Sequence, residues 1–316
     1  MLQQRPLTPN DKAALDELMR QTFGVSCRIV ECVLLKWDQD YRVLRMRLVN
    51  PELRVVVKLA GQMATLNSAF DRGAALVRLV RTHTTVPNSG VIAADITCAK
   101  WPWRYTIATA LPGETWAVVR PQLAPDEHFD AYRQLGEAVA AIHNIPFTHF
   151  GEVTPDGTVP FGSEYFTSLM SRIQRRVLDP AKSERLQAVL REYLPLFTEV
   201  RAPGLTHEDL NPNNILYQRG EDGRWTLSGL LDFESAWAGS PESDLARLEV
   251  WRGMMGDGFW QGYTGARTAP PAGYAQRRLL YQLVWCVECG HTTAQHYEDT
   301  RWVCERLGVP AEWFMR

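Results

Sequence analysis

Three β-branched runs, Cys27–Trp37, Asp40–Asn50 and Leu53–Ala60, follow one another with only short polar breaks at Asp38-Gln39-Asp40 and Asn50-Pro51-Glu52. Consecutive strands joined by such short turns predict an antiparallel meander. Ahead of them, residues 8–22 read as a helix, with Thr8 as N-cap, Pro9 at the first helical position and Asp11 placed for a capping box. An amphipathic helix over about 66–82 follows the meander, with Leu76, Leu79 and Val80 on one side, and Val86-Pro87 breaks it. Two further strands, Gly90–Asp95 and Arg104–Leu111, end at Leu111-Pro112-Gly113.

Past that Pro-Gly the period changes. His128–Ile145 carries Leu135, Val139 and Ile142 at helical spacing. Gly151–Gly162 reads as a long loop, 163–200 as two helices, 203–240 as a compact loop-rich stretch, and the remainder as about three helices. Strands first and helices after imply an α+β chain with two lobes: an N-terminal antiparallel sheet lobe over 1–110 and a mainly helical C-terminal lobe over 111–316. At 316 residues and 45% apolar content the chain can fill cores of that size.

A net charge of −2 offers no electrostatic footprint for nucleic acid or an anionic membrane. No run approaches the roughly 20 apolar residues of a membrane span, and the first residues are polar, so the expected compartment is the cytoplasm. Cysteines at 27, 32, 98, 286, 289 and 304 are then reduced thiols. Cys286 and Cys289 have metal-ligand spacing, with His291 and His296 behind them, but all four lie on one helical run. A zinc site needs a second pair arranged in space, so core packing is the better reading.

The segment Leu205-Thr-His-Glu-Asp-Leu-Asn-Pro-Asn-Asn-Ile-Leu216, followed by Leu230-Leu-Asp-Phe-Glu234, carries the chemistry. Phosphoryl transfer to a hydroxyl needs a carboxylate to orient the nucleophile and accept its proton, and hard oxygen ligands for Mg²⁺. Asp209 and Asn214 share one tight loop that runs into Asn214–Tyr217. Trp225–Leu231 can pair with that run across the Arg219–Gly223 turn, which would bring Asp209, Asn214 and Asp232 to one end of a hairpin. Asp and Asn are common in loops for their own backbone bonds, and Asn-Pro is a turn signal by itself. What outweighs that reading is the sum: His-x-Asp, an Asn five residues after the Asp, strand, turn, strand, then Asp-Phe-Glu.

These motifs resemble the catalytic and metal-binding loops of the aminoglycoside phosphotransferase and choline kinase superfamily. Leu135–His143 is similar to the helix before that family's catalytic region, Ala238–Ala246 to its Gly-Asp-Pro-x-x-Asp-Leu-Ala element, and Leu111-Pro-Gly-Glu114 to its segment after the hinge. The resemblance implies a bilobal, protein-kinase-like fold, and a kinase that uses Mg²⁺ and ATP or GTP to phosphorylate a small hydroxylated molecule. It implies Asp209 as base, His207 as a brace of the loop, Asn214 and Asp232 as metal ligands, and Lys58 on the α- and β-phosphates. Asp244 would anchor the catalytic loop, and the base would bond backbone groups around Ala108–Ala110.

The chain departs from the family pattern at four places. Asp71-Arg72-Gly73-Ala74 stands where an Arg-Glu-Ala helix start usually supplies a glutamate to the strand lysine, so Asp71, another acid or a different arrangement must hold Lys58. Trp37–Tyr41 replaces a glycine-rich turn, Glu208 follows the histidine where a small residue is common, and Ser240 replaces an aspartate. Glu234 reads equally as a carboxylate behind the metal, a contact to a cationic substrate, or a solvated loop acid. Aromatics at 251, 260, 263, 274, 281, 285 and 302 read as core more than pocket. Glu249, Asp257, Glu288, Glu298 and Asp299 are interspersed with Arg247, Arg252, Arg277, Arg278 and Arg301. A polycationic acceptor is therefore not preferred over a macrolide, amino alcohol or sugar. The alternative from another class is a non-catalytic relative that binds nucleotide or ligand as a regulatory module. A protein kinase is disfavoured, because Pro241 and Asp244 follow Glu234 too closely for an activation segment.

Overall fold

β1 (Arg28–Asp38) pairs with β2 (Tyr41–Val49) through two register shifts, and alternation along β2 and β3 (Leu53–Ala60) sends every second side chain to one face. In the computed structural model, which describes residues 9–38, 41–61, 70–160, 162–267, 273–288 and 293–315, that face carries Leu44, Met46, Leu48, Val55, Val57 and Leu59, all buried. Helix α1 (Pro9–Phe23) covers them with Leu15, Leu18 and Met19. Each such side chain contributes about 1.5–3 kcal/mol when fully enclosed. Thr8 lies outside the described residues, as do Gln39 and Asp40 of the first turn and the start of the next helix.

Helix α2 (Phe70–His83), then β4 (Val91–Asp95) and β5 (Arg104–Thr109), complete the first part. The sheet runs β1-β2-β3-β5-β4, and every neighbouring pair is antiparallel. The meander and both later strands form as their patterns predict. Alternation has a second consequence at β3. Val57 and Leu59 face α1, so Lys58, opposite Val43 and Thr106 in the ladder, faces the other way, toward the rest of the chain.

The remainder is mostly helical. β6 (Glu114–Thr115) and the short α3 (Trp116–Val119) lead into α4 (Pro125–His143), then α5 (Tyr165–Arg176), α6 (Pro180–Glu192) and α7 (Leu194–Phe197). The loop-rich stretch holds four short strands: β7 (Gly204–Thr206), β8 (Ile215–Arg219), β9 (Trp225–Leu230) and β10 (Trp237–Gly239). Beyond it come α8 (Pro241–Val250), α9 (Asp257–Ala266), α10 (Tyr274–Glu288), α11 (Ala294–Leu307) and α12 (Glu312–Met315). Among the described residues this last stretch therefore holds five helices where periodicity suggested about three. One of the breaks is at Gly253, whose φ of +80° no helix accommodates.

Helices α4 and α9 meet backbone to backbone. A Cβ on Gly136 would stand 2.1 Å from the Phe259 carbonyl oxygen, and one on Gly262 would stand 2.0 Å from that of Arg133. Leu76 and Val80 of α2 join this second core with Leu135, Val139 and Ile142 of α4, so α2 packs against the helical part as well as under the sheet. No helix among the described residues is long and apolar enough to cross a membrane.

Glu152 ties α2 to this second core. It accepts from Arg72 of α2, from Arg172 at 2.8 Å and from Arg175 at 3.2 Å. Burial works to raise its carboxyl, but Arg172 and Arg72 outweigh that and hold it at about 2, against an ordinary 4.5. A carboxyl depressed in the fold stabilises it above the unfolded value, and that stability is lost as pH falls through the folded value. Glu152→Gln should thus lower stability at neutral pH by about 3 kcal/mol. Chemical denaturation from pH 7 to 2 should show the gap to wild type closing between about pH 4.5 and 2; a constant gap would refute the assignment.

Candidate active site

In the β8–β9 hairpin Ile215 stands opposite Leu230, and the Leu231 N–H donates to the Asn214 carbonyl at 2.8 Å. Asn214 and Asp232 therefore leave the hairpin at the same end. The loop before it is closed by its own amides. Asn211 Nδ2 donates to the Asp209 carbonyl at 3.1 Å, and its Oδ1 accepts from the Asn213 N–H at 2.9 Å. Asn214 Nδ2 donates to the Asp209 carbonyl at 2.8 Å and to Asp209 Oδ2 at 3.0 Å. Asp209 Oδ1 accepts from Arg247 Nη2 of α8 at 3.0 Å, while the carboxylate stays one-third exposed.

His207 and Asp244 fix the loop from behind. The His207 Nδ1 accepts the Asp209 N–H at 3.2 Å, so Nε2 carries the proton and donates to the Leu231 carbonyl at 2.8 Å. Its ring packs on Phe233, centroids 4.5 Å apart. Asp244, in the first turn of α8, accepts the backbone N–H of His207 at 2.6 Å and of Glu208 at 2.8 Å. Its Oδ2 also meets His143 Nε2 at 3.1 Å, and His143 Nδ1 meets the Tyr263 hydroxyl at 3.0 Å. Burial would raise the Asp244 carboxyl, but the bond and charge of His143 and the contact with His207 hold it low. The close approach of α4 and α9 is what brings Tyr263 to His143.

Glu208 has a φ of +60°, which turns its side chain away from Asp209 into the interior. There it accepts from the Thr206 hydroxyl at 2.7 Å, the Trp237 indole at 2.9 Å and the Ser243 hydroxyl at 2.9 Å. Burial pushes this carboxyl up. The residue at a position where a small one is common thus joins β7 to β10 and α8.

Lys58 Nζ reaches across to this end of the hairpin, 2.9 Å from Asp232 Oδ1 and 2.7 Å from Glu234 Oε1. Asp232 holds a left-handed conformation, φ +67° and ψ +57°, which starts the short turn Phe233–Ser235 and points both acids the same way. The two carboxyls respond differently to one ammonium. Burial raises both, but at Asp232 the charge and bond of Lys58 prevail and hold it below the usual range. At Glu234 burial and the neighbouring Asp232 prevail and push it up. Burial lowers the Lys58 ammonium, and the two acids more than reverse that.

Asp232 and Asn214 offer a carboxylate and an amide oxygen, hard donors that suit Mg²⁺, which takes one or two protein ligands and fills its other positions with phosphate and water. Among the described residues no three His, Cys, Asp or Glu side chains cluster as a self-sufficient metal cage. The donor set fits an ion that arrives with a triphosphate. Cys289 and His291 lie outside the described residues. Cys286 is buried in α10, and the His296 Nε2 meets the Cys286 carbonyl at 3.0 Å, an arrangement of core packing.

The profile of the phosphotransferase enzyme family matches residues 34–280. That span covers most of the chain and every residue of the hairpin, its loop and Lys58. The chain belongs to the phosphotransferase enzyme family. Solved structures agree in fold. A thermostable mutant of aminoglycoside phosphotransferase APH(4)-Ia is 18% identical, with a TM-score of 0.62 over 93% of this chain and 97% of that one. ADP-bound APH(2'')-Ib is 17% identical, with a TM-score of 0.60 over 96% and 99%. APH(2'')-IIa in a ternary complex with streptomycin and ATP is 16% identical, with a TM-score of 0.59 over 99% and 100%.

In this phosphotransferase-family chain the backbone at the end of β5, where the sequence reading expects the base, is partly bonded within the sheet. Ala108 sits inside the ladder, opposite Val56 on one side and Val91 on the other, and the Ala110 N–H donates to the Arg54 carbonyl at 3.0 Å. Sequence reasoning did not single out Arg247, the hold of Glu234 on Lys58, or the His143–Tyr263 support. Arg247 had a usable signal. It lies three residues after Asp244 on one helix, so a helix face that touches the loop at Asp244 presents Arg247 to it one turn later. Of the C-terminal aromatics, Tyr263, Tyr274, Tyr281 and Trp285 are buried, in keeping with the core reading, and Trp302 is exposed.

Proposed function

We propose that this phosphotransferase-family protein moves the γ-phosphoryl group of ATP or GTP onto a hydroxyl of a small molecule. The observation that carries this reading is the meeting of Lys58, Asp232, Asn214 and Asp209 in one hydrogen-bonded array at the end of the β8–β9 hairpin. Asp209 orients the acceptor hydroxyl and takes its proton as the oxygen attacks phosphorus, and Arg247 and Asn214 keep the carboxylate turned for that step. His207 holds the loop, and Asp244 clamps it through two backbone N–H groups. Asn214 and Asp232 would hold Mg²⁺, which neutralises charge on the β- and γ-phosphates. Lys58 contributes a fixed positive charge for the α- and β-phosphates.

On this reading residues 1–110 form the nucleotide lobe and 111–316 the catalytic and substrate lobe, in a cytoplasmic protein. With Ala108 inside the ladder and the Ala110 N–H already bonded, the base would use the Ala110 carbonyl and the Leu111 N–H. The acceptor is a hydroxylated metabolite or antibiotic. Ternary complexes among the solved structures contain hygromycin B and streptomycin. Here the group beside Asp209 is the Arg247 guanidinium, and the nearby Glu288 is paired to Arg176, an environment that favours a neutral or weakly charged acceptor over a polycation.

Thermal unfolding with ATP, GTP and ADP, with and without Mg²⁺, tests this. A ligand at about 100 times its Kd adds roughly 2.7 kcal/mol, or about 4 °C for a chain of 316 residues. A metal-dependent rise of that order, increased by one member of a hydroxylated acceptor panel, is the expected result. No rise with any nucleotide at millimolar concentration would replace the reading with that of a non-catalytic binding module.

A further inference from the structure

Lys58 ends up between two acids, and neither comes from α2. The one acid in the first turn of that helix, Asp71, is exposed and uses Oδ1 to accept the N–H of its neighbour Arg72 at 2.9 Å. Two residues on, where α2 faces the lysine's surroundings, the chain has Gly73, which is buried. A Cβ there would stand 3.5 Å from Glu234 Cγ, so the helix surface at this point is occupied by the side chain of Glu234. Glu234 in turn reaches Lys58 Nζ at 2.7 Å, closer than Asp232 at 2.9 Å. The two acids also differ in enclosure: the Glu234 side chain is 10% exposed and that of Asp232 is 35% exposed. Asp232 thus faces the open side of the hairpin, and Glu234 is sealed between the hairpin, Lys58 and α2.

We propose that Glu234 is the positioning residue of Lys58, a carboxylate supplied by the turn after the hairpin in place of one from α2, with Gly73 leaving the room it needs. The inference rests on the phosphotransferase reading and extends it. It divides the two acids between two tasks. Asp232 is left to the metal and Glu234 to the lysine, so the ammonium keeps a fixed partner while its other face meets phosphate. Gly73 and Glu234 act as one unit in this arrangement, because a Cβ at 73 would already touch Glu234 Cγ at 3.5 Å and any longer side chain would press on the glutamate.

Steady-state kinetics of Glu234→Gln, Lys58→Met and the double variant, over a range of nucleotide and of Mg²⁺, decide the matter. Glu234→Gln should raise the nucleotide KM by roughly 10- to 100-fold, and the Mg²⁺ concentration for half-maximal rate at saturating nucleotide should stay at the wild-type value. The double variant should be no worse than Lys58→Met alone, since the glutamate acts only through the lysine. Gly73→Leu, which leaves both charged groups in place, should raise the nucleotide KM in the same way and covers the case of a Glu234 variant that does not fold. An active wild type with an unchanged KM in Glu234→Gln and Gly73→Leu would overturn the proposal. So would a shifted Mg²⁺ dependence, which would make Glu234 a metal ligand, or additive losses in the double variant. A wild type that binds no nucleotide would overturn the phosphotransferase reading and this proposal with it.

Discussion

Asp209→Asn should reduce turnover by roughly 10²- to 10⁴-fold, the usual contribution of a positioned general base, with nucleotide affinity and thermal stability close to wild type. The substitution keeps the shape and one oxygen, which can still accept from Arg247. The new amide group would face Asn214 Nδ2, which keeps its bond to the backbone carbonyl of residue 209 at 2.8 Å and so leaves the Asn214 oxygen where it was. The loop itself is held at other points, by Asp244 on the His207 and Glu208 N–H groups and by His207 on Leu231. A loss confined to kcat is the signature of an interaction made in the transition state alone. Turnover within a few-fold of wild type would remove Asp209 from the role of base.

Asp232→Asn should act on binding. Disturbing even the partners behind a metal's ligands typically costs roughly 10- to 100-fold in affinity, so loss of a ligand carboxylate should lower the affinity for Mg·ATP measured by calorimetry by about 10-fold or more. The affinity for ATP without metal should change much less, because Lys58 keeps Glu234. Asparagine is the proper replacement here. The backbone at 232 is left-handed, φ +67°, a conformation that asparagine adopts readily and alanine does not. Loss of binding in this variant therefore reports the carboxylate and not a refolded turn. Unchanged Mg·ATP affinity would rule Asp232 out as a ligand.

What could be read from the sequence is what the chain decides locally. The hairpin is one example: Asn214–Tyr217 and Trp225–Leu231 are separated by a short polar turn, so their register follows from the turn and the alternation, and Asn214 must share an end with Asp232. The five strands of the sheet were legible for the same reason. The contacts that complete the site join residues far apart in the chain. Lys58 and Glu234 are 176 positions apart, His143 and Asp244 101, and His143 and Tyr263 120. No periodicity encodes such meetings. They follow from how α4, α8 and α9 pack, which depends on small residues such as Gly136 and Gly262 whose effect appears only when the partner helix is in place. The missing helix glutamate was visible in Asp71-Arg72-Gly73-Ala74. Its replacement was not, because nothing within that segment points to a turn at the other end of the fold.

The ion pair of Lys58 with Glu234 also bears on how this protein can be recombined. The sheet that carries the lysine and the turn that carries its carboxylate lie on opposite sides of any junction drawn near Leu111, and Arg72 and Glu152 straddle the same junction. A chimera that exchanged the N-terminal part for that of a relative whose second helix brings its own glutamate would crowd two acids onto one lysine. The reciprocal chimera would leave the lysine with none on the inner side. Grafting between such relatives has to move Gly73 and Glu234 together, as a linked pair of alleles.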